Sequence, residues 1–329
     1  MPGLDAIACF NRPSRWPRAD GIAMNIRTLE TFVWIARLGS FRAAAQRLYA
    51  SQPSVSARIS GLEDQLGVEL FARVGRKVTL TAKGRELLTY AEKILSLHGE
   101  MLQVVAKPAS IHGTIRLGVS ETIAHTWLPR LIERVSEAYP AINLELDVDI
   151  SVNLADKLVN HDIDIAFLMG KVNHPGVICR DLCRYPLVWV ASPTLGIPHT
   201  MSLADLARWP IITYPRRSEP YTHIRSLVDP MNHSTRIHSS SSLSTIIRMT
   251  VDGIGVSALP REIVAQALAA GVLREFEVDA AIPDLSFTAA YATGPGSIVV
   301  QAVAELALAT AGSPAAQDSA VLDRTQRLD

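Results

Sequence analysis

The chain has 329 residues, 48% hydrophobic, 19% charged and 6% aromatic, with 32 basic residues balancing 32 acidic ones. That length supports two or three domains with cores of their own, and no apolar run approaches the ~18 residues that a membrane-spanning helix needs. Three cysteines, Cys9, Cys179 and Cys183, are too few for a disulfide framework and point to a reducing compartment, the cytoplasm.

Residues 1–23 carry Pro, Arg and Trp but no apolar segment, so they do not read as a secretory signal. Met24 has the look of a natural start, and residues 1–23 read either as a flexible extension or as the product of an upstream start codon. Charge is unevenly spread. Met24 to Lys107 hold 12 Lys and Arg against 7 Asp and Glu, a balance of +5, whereas the residues after Lys107 sum to −6. A basic N-terminal piece on an acidic remainder suggests a polyanionic partner at one end, weakly if taken alone.

Phe41, Ala44, Ala45 and Leu48 recur at helical spacing, and Val55, Ile59, Leu62 and Leu66 form an apolar stripe on a second helix. Only Tyr49-Ala50-Ser51 separates them. Ser51 is a good N-cap and Pro53 is tolerated in a first turn, so the pair predicts a helix-turn-helix. Away from the stripe the second helix carries Pro53, Ser54, Ala57 and Ser60, with Ser56 and Arg58 at the margins. Small side chains let a helix sink into a groove, and hydroxyls and Arg donate to phosphates and base edges. An ordinary exposed face of a helical hairpin is the bland alternative.

Leu70 to Leu80 reads as strand, turn, strand with Gly75-Arg76-Lys77 at the tip, a basic hairpin suited to phosphates or the minor groove. Thr81 then caps a long helix through about Ala106, whose wide apolar band (Leu87, Leu88, Ala91, Ile94, Leu95, Leu97, Met101, Leu102, Val105) predicts pairing with a second copy of the chain.

Here the chain resembles the LysR-type transcriptional regulators. The resemblance rests on Leu29-x-x-Phe32, Ser40-Phe41-x-Ala43-Ala44-Ala45-x-x-Leu48, Ser51-Gln52-Pro53-Ser54-Val55-Ser56-x-x-Ile59-x-x-Leu62-Glu63-x-x-Leu66-Gly67, Leu70-Phe71-x-Arg73 and Leu80-Thr81-x-x-Gly84. It implies a winged helix-turn-helix over 24–82, a linker and dimerisation helix over 83–107, and binding to double-stranded promoter or operator DNA as a homodimer or homotetramer. The recognition helix runs from Gln52 to about Gln65. Ser51 caps it, and Gln52, Pro53, Ser54, Ser56 and Arg58 match the family's base and phosphate contacts. Gln52 suits adenine and Arg58 guanine, by bidentate geometry. Arg73, Arg76 and Lys77 would hold the backbone. The chain departs from the family pattern in Arg42, which can add a phosphate contact, and in Tyr49-Ala50.

From His112 strand-like and helix-like runs alternate, an α/β pattern: Thr114 to Val119, Trp127 to Ala138, Leu144 to Asp149, Leu154 to Val159, Ile163 to Leu168, Leu187 to Ala191, Ile211 to Tyr214, Leu243 to Val251, Ile254 to Leu259 and Ser297 to about Ala309. Ligands of such sheets sit beyond the carboxyl ends of the strands. Ser120-Glu121-Thr122, Ser151-Val152-Asn153 and Ser239 to Ser242 supply small polar groups there, although Ser151, Ser241 and Ser242 could equally be helix N-caps. The resemblance continues in Gly118-x-x-x-Thr122, Leu128-Pro129, Asp162-Ile163-Asp164-Ile165-Ala166 and Asp252-Gly253-Ile254-Gly255-Val256. It implies a two-lobed effector domain similar to periplasmic binding proteins over 113–311, with one lobe at 113–183 and 287–311 and the other at 184–286. A small-molecule effector, with no other cofactor, would lie between the lobes, lined by Ser120, Thr122, Ser151, Met169 and Ser241. Glu121 is unusual there and could repel an anion or bind an amine. Asn153 and Tyr214 are further candidates, and residues 312–329 read as a frayed tail.

His161-Asp162-x-Asp164 has metal-like residue types, but its aspartates flank a strand start. Cys179 and Cys183, four apart on one strand, lie roughly 13 Å from each other, too far for a disulfide. No Ser-His-Asp order or nucleotide fingerprint is present. The resulting expectation is a cytoplasmic, non-enzymatic DNA-binding regulator switched by a small molecule, contacting RNA polymerase if it activates. The alternative is a small-molecule-binding protein or enzyme that its N-terminal helices merely dimerise.

Overall fold

The computed structural model describes residues 24–74, 77–105, 111–229, 235–292 and 297–312. Two compact units divide the chain, the first ending at Glu92 and the second beginning at Lys93.

The first unit opens with α1 (Ile26–Leu38), α2 (Phe41–Arg47) and α3 (Gln52–Leu66). Each has a side-chain N-cap: Asn25 accepts from Thr28 N–H, Ser40 from Ala43 and Ser51 from Ser54. Gly39 and Gly67 close α1 and α3 at φ of 60° and 66°, a left-handed conformation that glycine adopts without steric cost. Ala44 and Ala45 are buried where α2 lies against α1 and α3. A larger residue at either position would hold the helices apart. The hairpin β1 (Phe71–Val74) and β2 (Lys77–Leu80) pairs Phe71 with Leu80. Phe71 joins it to the helices through rings 5.3 Å from Phe32 and 5.7 Å from Phe41. Then α4 (Ala82–Val105) begins, with Thr81 accepting from Gly84 N–H at 3.0 Å.

The second unit follows with β3 (His112–Val119), α5 (Glu121–His125), α6 (Leu128–Ala138), β4 (Ala141–Val148), α7 (Ser151–Val159), β5 (Ile165–Met169) and β6 (Val177–Tyr185). The chain continues through β7 (Leu187–Ala191), β8 (Thr200–Met201), α8 (Leu203–Leu206), β9 (Ile211–Thr213), α9 (Glu219–Val228), β10 (Ile237–Ser239), α10 (Leu243–Val251), β11 (Ser257–Pro260), α11 (Arg261–Ala269) and β12 (Arg274–Val278). It returns as β13 (Leu285–Ala292) and α12 (Ser297–Ala311). One lobe is a five-stranded sheet in the order β4-β3-β5-β13-β6. β3, β4 and β5 run parallel, and β13 is antiparallel to β5 and β6. The other lobe holds the sheet β11-β7-β12-β8 and the parallel pair β9 and β10.

Both faces of the five-stranded sheet are covered. Leu131 and Val135 of α6 with Val303 and Ala307 of α12 bury Leu117, Ile165 and Phe167 on one face, while Leu154 and Leu158 of α7 bury Ala166 and Leu168 on the other. The crossover between lobes differs slightly from the 183/184 and 286/287 boundaries expected from sequence. Tyr185 pairs with Leu285, and Arg184 with Ser286, inside the five-stranded sheet. Pro186, which lacks an N–H, follows at once.

Gly84 sets how closely α4 approaches the hairpin. A Cβ there would lie 2.1 Å from the Leu70 carbonyl oxygen and 2.9 Å from Leu80 Cδ2. In an open helix Gly→Ala stabilises by about 1 kcal/mol, whereas forced overpacking costs about 1–3 kcal/mol. Because the obstacle is backbone, the clash wins. Gly84→Ala is expected to destabilise the first unit by about 1–2 kcal/mol, read by thermal unfolding. Unchanged or raised stability would mean that α4 shifts freely.

Candidate nucleic-acid interface and effector cleft

In the first unit α3 is held from one side. Val55, Ile59 and Leu62 are fully buried, while Gln52, Pro53, Ser54, Ala57 and Ser60 are exposed and Ser56 and Arg58 half-buried. Ser51 is exposed and spends its hydroxyl on the cap. Arg58 reaches back to its own domain, Nη1 donating to Thr31 Oγ1 at 3.3 Å, so its guanidinium lies across the margin of α3. Arg42 is exposed in the first turn of α2. Arg73 and Lys77 stand on the hairpin strands, and Arg76 lies outside the described residues.

Sequence reading missed the function of Glu63. Its Oε1 accepts from Leu70 N–H at 2.7 Å and Phe71 N–H at 3.2 Å. These bonds fix the start of the hairpin to α3 and so set where the wing stands relative to the recognition helix. The signal was the separation of Glu63 from Leu70-Phe71, which has meaning only once the chain has turned.

In the second unit the candidate residues gather at the carboxyl ends of β3 and β5. Ser120 N–H donates to Phe167 O at 3.0 Å, tying these ends together. The Ser120 hydroxyl is buried without a hydrogen-bond partner, and the hydroxyl of Tyr214, from the other lobe, is buried beside the Thr122 hydroxyl. Burial holds the Tyr214 phenol above its ordinary value, the negative charge of Glu121 adds to this, and the Thr122 hydroxyl partly offsets it. Thr122 is buried. Glu121 Oε2 accepts the backbone N–H of Leu243 across the cleft.

Ser151 and Met169, the last residue of β5, meet at the same end of the sheet. Ser151 Oγ accepts from Met169 N–H at 2.9 Å. Ser151 is therefore no N-cap, a position held by Ile150 without a side-chain bond. Both residues line a cavity of about 350 Å³ with Val152 and, from the other lobe, Arg217, Ser218, Glu219 and Thr222. Those four were not foreseen. Ser218 caps α9, and Arg217 places a cation beside that helix start. Asn153 is engaged elsewhere, donating to Asp149 Oδ1 at 2.9 Å. Ser241 is exposed, and the neighbouring Ser242 caps α10 by accepting from Thr245 N–H.

The two constellations set aside from sequence have structural occupations. Asp164 Oδ2 accepts from Arg116 N–H at 2.9 Å. In β6 the register shifts between Phe287 and Thr288, leaving Leu182 as an extra residue. This bulge reverses the alternation of side chains. Cys179 therefore packs beside Leu154 and Ala166, and Cys183 on the opposite face with the cluster of Trp127 and Phe287. Burial pushes the Cys183 thiol up to about 11.

Two family descriptions match this chain. Residues 26–85 match "Bacterial regulatory helix-turn-helix protein, lysR family", and residues 108–312 match "LysR substrate binding domain". The chain belongs to the LysR family. It is 30% identical to the HTH-type transcriptional regulator BbuR of Bordetella bronchiseptica over 275 residues, 81% of this chain and 82% of that one. It is 28% identical to the HTH-type transcriptional regulator SoxR of Arthrobacter sp. over 256 residues, 78% and 86% of the two chains. Its fold is similar to the crystal structure of ArgP from Mycobacterium tuberculosis, with a TM-score of 0.58 and 21% identity over 87% of this chain and 97% of that one. LysR regulators bind DNA and small-molecule effectors and form oligomers, and they are not enzymes. That removes the alternative of an enzyme dimerised by its N-terminal helices. Among the described residues of this LysR-type regulator, no helix is long and apolar enough to cross a membrane.

Two outcomes follow from the geometry. Glu63→Ala is expected to cost about 2 kcal/mol in chemical unfolding, since two backbone donors lose a charged acceptor. Glu63→Gln should recover roughly half of that loss. If both variants match the parent, Glu63 does not anchor the hairpin. For Cys183, only on the order of one thiol in a thousand is thiolate at pH 8. Iodoacetamide at that pH is expected to leave Cys183 unmodified in the folded protein, by mass spectrometry. Rapid modification would show that β6 opens.

Proposed function

We propose that this LysR-type regulator places α3 in the major groove of an operator and changes its grip on that site when a small molecule occupies the cleft between its lobes. The observation that carries the reading is the one-sided anchoring of α3. A buried stripe of Val55, Ile59 and Leu62 leaves a projecting face of Gln52, Pro53, Ser54 and Ser60 with no large side chain to block close approach. Gln52, Ser54, Ser56 and Arg58 then reach bases and phosphates. Ser51 and Pro53 shape the helix start, and Arg42, Arg73, Arg76 and Lys77 meet the backbone. To read a base, Arg58 exchanges its bond to Thr31 for a guanine edge.

Pairing of two copies runs through α4, where Leu97, Met101, Leu102 and Val105 are exposed. A water-facing apolar row of this kind on a long helix is stabilised by a second copy. The effector sits against Ser151 and Met169 on one side and Arg217, Ser218 and Thr222 on the other, with Ser120, Thr122 and Tyr214 at the adjoining strand end. Closing the lobes on it alters subunit packing and hence the spacing of the paired recognition helices. The regulator works in the cytoplasm and, where it activates, contacts RNA polymerase.

The test is a gel shift of the full chain against the DNA upstream of its own reading frame, with salt varied and non-specific competitor in excess. Arg58→Ala is expected to weaken specific binding by about 1–3 kcal/mol and to leave binding to competitor DNA nearly unchanged. An equal loss on every sequence would assign Arg58 to phosphate only. Absence of any specific complex across the genome, with and without candidate effectors, would overturn the reading.

A further inference from the structure

We infer that Glu121 is the cleft's own resident anion: it latches the two lobes together at the start of α10 and bars a carboxylate effector from that position. The specificity half of this inference rests on the effector-cleft reading above, whereas the latch rests on geometry alone.

Glu121 is the first residue of α5, immediately after the carboxyl end of β3. Its Oε2 crosses to the other lobe and accepts from the backbone N–H of Leu243, the first residue of α10. A helix start presents unpaired N–H groups and the positive end of its dipole, which favours an anion. In α10 the Thr245 N–H is already bonded to Ser242 Oγ at 3.3 Å, and Leu243 N–H is taken by Glu121. His125, one turn along α5, repeats the link. Its Nε2 lies 3.7 Å from Glu121 Oε1 and 3.4 Å from Ser244 Oγ. Two side chains of one lobe thus converge on the same helix start of the other.

The surroundings distinguish this from an incidental surface contact. The hydroxyl of Ser120, a residue only 8% exposed, lies next to Glu121 in the chain and is unpartnered, and the buried Tyr214 hydroxyl reaches the same place from the other lobe, beside Thr122. The site offers neutral donors beside a fixed negative charge. An uncharged acceptor can use them, but a second carboxylate there would face Glu121 in a partly desolvated cleft, where like charges repel strongly. The cation of the cleft is instead Arg217, which lines the cavity beyond Ser151 and Met169 together with Glu219. Glu121 is thus a lobe-positioning residue and a determinant of which end of the cleft takes negative charge.

The experiment uses the full chain as parent, Glu121→Ala and Glu121→Gln, with thermal unfolding followed in sodium acetate and, for comparison, in sodium chloride of equal concentration. Glu121→Ala is expected to melt several degrees below the parent, and acetate, entering the vacated space, restores the loss in a concentration-dependent way. Parent and Glu121→Gln, whose side chains fill that space, show no response beyond that to chloride. The inference fails if Glu121→Ala melts like the parent, or if acetate acts on all three proteins alike. Should Glu121→Ala not fold, hydrogen exchange at the Leu243 amide decides. Exchange at least tenfold faster in Glu121→Gln supports the latch, and an unchanged rate overturns it. DNA binding by the parent is measured separately, so a protein that binds no operator yet shows acetate rescue would lose the regulator reading and keep the latch.

Discussion

Among the described residues, the polypeptide passes between the lobes of the second unit at two places, Pro186 and the segment from Asp279 to Asp284. Each lobe has its own clusters, around Phe167 in one and around Trp189 and Ile212 in the other, and Leu187 and Tyr214 also pack against the Phe167 cluster. Two short connections thus join the lobes beside the cleft. The carboxyl ends of β3 and β5 face segments that follow β9 and β10, so each lobe supplies half of a polar lining. At this junction the Ser120 hydroxyl is buried without a partner, a group that a ligand or water in the cleft would satisfy.

The first unit has a different constraint. A helix that must enter a groove cannot be gripped all round, so its fixation comes from one apolar stripe and from bonds at its ends. Ser51 fixes the beginning of α3, Gly67 the end, and Glu63 ties the last turns to the hairpin. Small residues act twice here, on opposite sides. Ala44 and Ala45 bring α2 against its neighbours, and Ser54, Ala57 and Ser60 leave the outer face of α3 low. The same economy of side-chain volume appears at Gly84, where a single methyl group would collide with the carbonyl of Leu70.

The cysteines show how one backbone irregularity can settle a chemical question. Spacing along a strand already separated Cys179 from Cys183. The bulge at Leu182 adds a stronger reason, because it sends the two sulfurs to opposite faces of the sheet. Cys183 is further held as a thiol by burial. Neither side chain has the exposed, electropositive setting that makes a cysteine reactive.

Local pattern alone determined a good deal about this protein. The helical period of Val55, Ile59 and Leu62, the caps at Ser51 and Thr81, and the α10 span from Leu243 to Val251 are short-range properties, carried by neighbours within a turn or two. The alternation of strand and helix gave the α/β class for the same reason. What lay beyond the sequence was every contact between residues far apart in the chain. Glu63 with Leu70, Arg58 with Thr31, Ser151 with Met169, and Arg217 beside both of these last residues leave no periodic trace. Glu121 and Leu243 are the clearest case. The sequence marked Glu121 as an unusual acidic residue at a strand end, but its partner is a backbone N–H 122 positions away. Only the closure of one lobe on the other decides that the carboxylate meets a helix start and not solvent.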